Sequence, residues 1–146
     1  MPEFAVTAHA PHPLIHTSEL EVRWGELDYY NHINNVHYFR YLEEARIRWM
    51  MQHRLLDNDA EALPVLLKSG ITYLKSVRYP ATLHIESYLG EVGARSVSVT
   101  HKIFDAGDRS LCYAEGYAKL VWIIPATGKS AVLPQRVRDA LQHTVG

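Results

Sequence analysis

The sequence predicts an α+β domain in which one long helix lies across a curved, five-stranded antiparallel sheet, in the order β-α-β-β-β-β. Three observations carry that expectation. One stretch repeats its apolar residues at intervals of three and four, the period of a helix, whereas five others alternate with the period of a strand. The connectors between the later strands are too short for the crossover that parallel neighbours need. Ala114, Gly116 and Ala118 give the last strand one face of very small side chains, which lets a helix approach closely.

Taken in order, residues 1–16 mix Pro2, Pro11 and Pro13 with His9, His12 and His16 without any period, and read as a flexible leader to a single domain over 17–146. Leu20, Val22 and Trp24 then alternate with Glu19, Glu21 and Arg23, which predicts a half-buried strand at about 18–24. After a polar loop, Val36, Phe39, Leu42, Ala45, Ile47, Trp49 and Met50 recur as on a helix of about five turns, with Arg40, Glu44 and Arg48 along another side. Asn34 stands where an N-cap belongs, its side-chain oxygen able to accept from the free N–H groups of the first turn. Apolar residues cover so much of this helix that it must be wrapped.

Four strands follow, marked by Ile71, Tyr73 and Val77; by Leu83, Ile85 and Leu89; by Val97, Val99 and Ile103; and by Cys112 to Trp122. Tyr79-Pro80-Ala81, Gly90 to Gly93 and Asp105 to Asp108 link them, which predicts a meander of antiparallel neighbours. A short helix is expected over 134–143. Tyr117, Val121 and Ile123 on the far face, with the open sheet edges, predict a second subunit.

The 146 residues are enough for one core, and 47% apolar with 21% charged residues is an ordinary globular composition. Fifteen Lys and Arg against sixteen Asp and Glu leave a charge of −1, without the basic footprint of a general nucleic-acid binder. Cys112 is the only cysteine, so no intrachain disulfide scaffold forms and a reducing, cytoplasmic setting is expected. Met1 to Leu20 holds no apolar run long enough for a signal peptide or membrane span, and no membrane partner is expected.

The unusual chemistry lies between the first strand and the helix, from Trp24 to Asn35. An aspartate six residues before a helix cap is held near free N–H groups and the positive end of the helix dipole. Asp28 can then stay ionised as a nucleophile or as a base towards water, while the N–H groups near Asn35 polarise a carbonyl and hold the oxyanion. That is acyl-transfer chemistry without a serine. The plainer alternative is that Asp28 braces its loop.

The run Leu27-Asp28-Tyr29-Tyr30-Asn31-His32-Ile33-Asn34-Asn35, followed by Tyr38 and Leu42-Glu43-Glu44-Ala45-Arg46, resembles the signature of hotdog-fold acyl-CoA thioesterases, above all the 4-hydroxybenzoyl-CoA-type and long-chain acyl-CoA branches. The resemblance implies the hotdog fold, Asp28 as the catalytic carboxylate and the Asn35 N–H as the donor to the thioester carbonyl. It also implies an acyl-CoA substrate and a site between two subunits of a homodimer, with pairing into a homotetramer left open; hydrolysis needs only water, the carboxylate and the helix end, so no cofactor is expected. Where several relatives have Gly, this chain has Asn31, whose side chain would narrow the acyl pocket or supply a hydrogen bond.

His32 is a candidate donor to Asp28 or to substrate, or else a residue that finishes the cap. Tyr29, Tyr30 and Tyr38, with Trp24, are candidates to line the acyl pocket or to join the core. Glu43 stays open as a mid-helix carboxylate, whereas Glu44 is spaced to pair with Arg48 and Glu26 is expected to be solvated. For the coenzyme phosphates, Lys75, Arg78, Arg95, Arg109 and Lys129 are the cations at strand ends and loops, with Arg78 favoured beside Pro80.

Gly128-Lys129-Ser130 has the end of a phosphate-binding loop, but Ile123 stands where its first glycine belongs. Neither a G-x-S-x-G elbow nor an H-E-x-x-H pair occurs. Cys112 reads as a buried, inert thiol. The leader histidines lack regular spacing and partner carboxylates, so no metal is expected. Two rival functions remain open: an enoyl-thioester hydratase or dehydratase using Asp28 and His32 as acid and base, and a non-catalytic dimer that binds an acyl ligand.

Overall fold

The computed structural model describes residues 12–56 and 62–145. Strand β1 (Leu14–Glu21) leads through a 3-10 turn at Trp24–Glu26 into helix α1 (Val36–Gln52). Strands β2 (Leu63–Tyr73), β3 (Thr82–Val92), β4 (Ser96–Asp105) and β5 (Cys112–Ile123) follow, and helix α2 (Gln135–Val145) closes the chain. The order β-α-β-β-β-β and the five-stranded, wholly antiparallel sheet are those expected.

The expected meander is corrected. The sheet runs β1-β3-β4-β5-β2, so only β3 to β5 are sequential neighbours. The connection to β3 begins at Leu74, not Tyr79, because Val77 lies outside the strand although fully buried. Its eight residues at about 3.3 Å each easily span three strand spacings of about 4.8 Å. β2 is thereby free to take the outer edge beyond β5, while β1 covers the other edge by pairing with β3.

β1 starts at Leu14, inside the segment read as a leader; residues 1–11 lie outside the described residues. The strand ends before Trp24, which sits exposed in the 3-10 turn instead of on the buried face, because the Val22 N–H bonds the Ala81 carbonyl and the chain turns away.

α1 places Tyr38, Tyr41, Leu42, Ala45, Arg46, Trp49 and Met50 against the sheet. Val36, Phe39 and Ile47, read as inward-facing, are exposed and form a stripe with Met51. Tyrosines bury their rings equally well and keep a hydroxyl for a polar partner, so they compete for the covered face. Over β5 the fit is close. A Cβ built on Gly116 would stand 2.3 Å from Cδ1 of the buried Leu42, so the small-residue face does admit the helix. Glu44 forms ion pairs with Arg48 and Arg40 on the polar side.

A polar row divides the core. His16, Ser87, His101 and Gly116 are register partners across β1, β3, β4 and β5. One apolar cluster, with Leu42, Ile85 and Ile103, lies on one side of them, and another, with Trp49, Val99 and Trp122, on the other. His101 is fully buried, its Nδ1 2.8 Å from the Ser87 hydroxyl. Burial, then the nearby Arg46 cation, pushes its pKa down to about 3, so the ring is neutral. Cys112 is half-buried and its thiol is pushed up by burial, as befits an inert side chain. Among the described residues no helix is long and apolar enough to cross a membrane.

Candidate active site

Residues 27–33 form a miniature hairpin that delivers Asp28 to the start of α1. Leu27 and Ile33 bridge as antiparallel partners, the Asp28 N–H bonds the His32 carbonyl at 2.7 Å, and the Asn31 N–H bonds the Asp28 carbonyl at 3.2 Å. This turn needs a residue in the left-handed region, and Asn31 supplies it at φ 62°. Asparagine tolerates that conformation better than most side chains, as glycine does. The expectation for Asn31 is therefore corrected: its side chain is exposed, off the cleft, and its service is to the backbone.

The two carboxylate oxygens of Asp28 are used differently. Oδ1 accepts from the Tyr30 N–H at 2.8 Å and from the His32 N–H at 3.1 Å, bracing the turn. Oδ2 has no hydrogen-bond partner among the described residues and Asp28 is exposed. Bracing and reactivity are thus compatible, one oxygen for each.

The helix start supplies the second group. Asn34 acts as the cap, its Oδ1 accepting from the Val36 N–H at 3.3 Å, while Asn35 already has helical angles of φ −54° and ψ −33°. The Asn34 N–H donates to the Glu26 carbonyl and the Val36 N–H to the cap, but the Asn35 N–H has no acceptor among the described residues. A free N–H in the first helical turn is a ready donor to an anionic oxygen.

A cleft of about 210 Å³ unites these groups. Asp28, His32, Asn35 and Tyr38 line it from the hairpin and α1, and Tyr73, Leu74, Lys75 and Ser76 from the end of β2. Tyr38 and Tyr73 meet edge to face at 5.0 Å, and the Tyr73 hydroxyl donates to the Asn35 carbonyl at 3.4 Å. Burial raises the pKa of both phenols, so they stay protonated. Not every sequence candidate is here. Tyr29 and Tyr30 pack edge to face at the hairpin tip, 95% and 75% exposed, and neither lines the cleft. Arg78 is exposed three residues beyond Lys75, and Lys75 is the cation on the cleft wall. Glu43 is exposed on α1 and away from the cleft. A larger groove of about 1040 Å³, between Ala62, Ile124 and Arg136, lies at the opposite end of β2 and holds none of these groups.

Glu26 is the largest surprise. Expected to be solvated, it is 6% exposed at the foot of α1. Its carboxylate forms an ion pair with Arg40 and accepts from the Tyr41 hydroxyl at 2.7 Å and the Arg23 N–H at 2.8 Å. Burial pushes the Tyr41 phenol up to about 12, so it remains a donor.

The hairpin and the helix start thus bring a carboxylate and a free amide to one cleft. The family comes from comparison with known proteins. Residues 22–141 match the model of the thioesterase-like superfamily, and the chain belongs to that family and is a thioester hydrolase with the hotdog architecture. The PA2801 protein of Pseudomonas aeruginosa is 41% identical, with a TM-score of 0.81 over 88% of this chain and 98% of its own. FadM of Escherichia coli (strain K12), a long-chain acyl-CoA thioesterase, is 25% identical over 137 residues, covering 88% of this chain and 98% of FadM. Slr0204 of Synechocystis, a 1,4-dihydroxy-2-naphthoyl-CoA thioesterase, is 19% identical with a TM-score of 0.79, over 87% and 95% of the two chains, a likeness of fold.

Proposed function

We propose that this protein hydrolyses an acyl-CoA thioester to the free acid and coenzyme A. The observation that carries the reading is the free Asn35 N–H and the unengaged Oδ2 of Asp28 on one cleft. The thioester carbonyl oxygen lies on the Asn35 amide, at the positive end of α1, where charge develops as the carbonyl is attacked. Asp28 Oδ2 either attacks the carbonyl carbon, releasing the thiolate and leaving an anhydride for water to open, or takes a proton from the water that attacks. In the first course water opens the anhydride at its acyl carbon, so that in both courses water's oxygen ends in the acid and its hydrogens in the acid and thiol.

His32 contributes its backbone N–H to the placing of Asp28, and its side chain borders the cleft. The hydratase alternative needs the His32 ring to work with Asp28; the bond between the two residues runs through the backbone instead, which favours hydrolysis. Tyr73, with Tyr38 buried edge to face behind it, offers an aromatic surface to the acyl group, and Lys75, with Arg78 beyond it, offers positive charge to the coenzyme phosphates. Tyr29 and Tyr30 serve the substrate only outside the cleft of a single chain. The exposed stripe of Val36, Phe39, Ile47 and Met51, with Leu66 and Leu67 on the β2 edge, supports a homodimer that completes the site. Pairing of dimers into tetramers would use other surfaces.

Thiol release from a panel of straight-chain and aromatic acyl-CoA esters tests the reading. At least one ester is expected to yield free coenzyme A at a rate proportional to enzyme. Binding without thiol release would favour the ligand-binding alternative, and loss of enoyl absorbance without thiol would favour hydration.

A further inference from the structure

We infer that Glu26 is a positioning residue for this hydrolysis, a buried clamp that fixes the segment carrying Asp28 against the helix start carrying the Asn35 amide. The inference rests on the hydrolase reading above and adds a group that touches neither substrate nor reacting atoms. Glu26 stands two residues before Asp28 and grips α1 at both ends of its own structure. Its carboxylate binds Arg40 and the Tyr41 hydroxyl in the second turn, with His37 Nδ1 4.0 Å away. Its carbonyl accepts from the N–H of Asn34, the residue before Asn35, at 3.0 Å. Its own N–H bonds the Arg23 carbonyl at 2.9 Å and the Arg23 N–H returns to its Oε1, closing the turn on which it sits.

A single residue therefore ties together the strand exit, the cap and the second helical turn. Removing a carboxylate from water is unfavourable, so a buried glutamate persists only where partners over-determine it. Here the partners belong to the two pieces whose relative placement sets the separation of Asp28 Oδ2 from the Asn35 N–H. The adjoining apolar contacts of Leu27 and Ile33 hold the fold together but have no such direction. A misplacement of about 1 Å between reacting groups costs on the order of 100-fold in rate, which is the sensitivity such a clamp protects.

The test is Glu26→Gln, which keeps an oxygen for the Tyr41 hydroxyl and the Arg23 N–H and removes the charge that faces Arg40. Turnover on the best acyl-CoA ester is expected to fall by on the order of 10-fold or more, with KM within about twofold of wild type. In ¹⁵N spectra the Asn35 and His32 amides are expected to shift, and that of His32, which is bonded to Asp28, to exchange faster, while that of Trp49, far along α1, stays put. A merely stabilising role would lower Tm and leave kcat per folded molecule unchanged. Wild-type kcat with unmoved Asn35 and His32 amides would overturn the inference. Should Glu26→Gln fail to fold, Tyr41→Phe removes one hydroxyl and is read the same way. A wild-type protein that releases no thiol from any ester counts against the hydrolase reading, and the two amides then decide alone on Glu26.

Discussion

Asp28→Asn is expected to lower acyl-CoA hydrolysis by about 100- to 10,000-fold, the range for a positioned acid or base, or about 2.7 to 5.4 kcal/mol of barrier. The change is aimed at one oxygen. An asparagine retains Oδ1 and can still accept from the Tyr30 and His32 N–H groups, so the hairpin persists. Lost is the charge and the basicity of Oδ2, the oxygen without a partner. Asp28→Ala, by contrast, removes the brace as well and is expected to cost about 1 kcal/mol of stability for each lost hydrogen bond besides the activity. If Asp28 only braced its turn, Asp28→Asn would turn over normally and Asp28→Ala would be merely less stable. Thiol release and denaturant midpoints on the two variants separate the roles.

Acidification is expected to destabilise the fold through His101. Its ring is neutral in the folded state, with a pKa of about 3 against 6.5 when free, so between those values the unfolded chain binds one more proton. Stability from this group is complete above about pH 6.5 and falls at about 1.4 kcal/mol per pH unit down to about pH 3. From pH 7 to pH 5 the loss is about 2 kcal/mol. The surroundings offer the proton no relief: Ser87 from β3 already bonds Nδ1, Gly116 from β5 has no side chain, and Arg46 from α1 and His16 from β1 are themselves basic. Burial lowers the pKa of His16 too, which adds loss of the same sign. Urea unfolding at a series of pH values should give a shallower acid limb in His101→Asn than in wild type. Parallel limbs would remove His101 from the account.

The period of the chain made the elements legible. Alternation and three-four spacing are local properties, and Leu83, Ile85, Val97, Val99 and Leu42 all lie where those periods put them. Strand neighbours are not local. The edge position of β2 depends on how far Leu74–Ala81 reaches across a curved sheet, and no residue in that stretch announces which edge it serves. On α1 the apolar residues nearly encircle the helix, so spacing alone could not decide that Tyr38 and Tyr41 turn inward and Phe39 and Ile47 outward.

At the site, the nearness of Asp28 to the helix start was legible because any helix start leaves N–H groups over and a carboxylate six residues upstream falls beside them, while the roles given to Asp28 and Asn35 came from the resemblance to the thioesterase signature. Glu26 was not, because its partners Arg40 and Tyr41 follow 14 and 15 residues later, and an acidic residue beside a turn looks solvated until the helix is laid over it. Lys75 over Arg78 is the same lesson: only the path of the chain after β2 decides which cation borders the cleft.

The most direct measurement of the central claim is turnover by Asn35→Pro. Proline deletes the N–H with the backbone undisturbed, since the φ of −54° at Asn35 suits its ring and the first helical position tolerates it well; it also removes the side-chain amide, for which Asn35→Ala, expected to keep turnover within a few-fold of wild type, is the control. With the fold retained by circular dichroism, kcat for acyl-CoA hydrolysis is expected to drop by about 100- to 1000-fold, the effect of removing one oxyanion donor. Turnover within a few-fold of wild type would show that the amide at position 35 does not hold the reacting carbonyl, and would contradict the account.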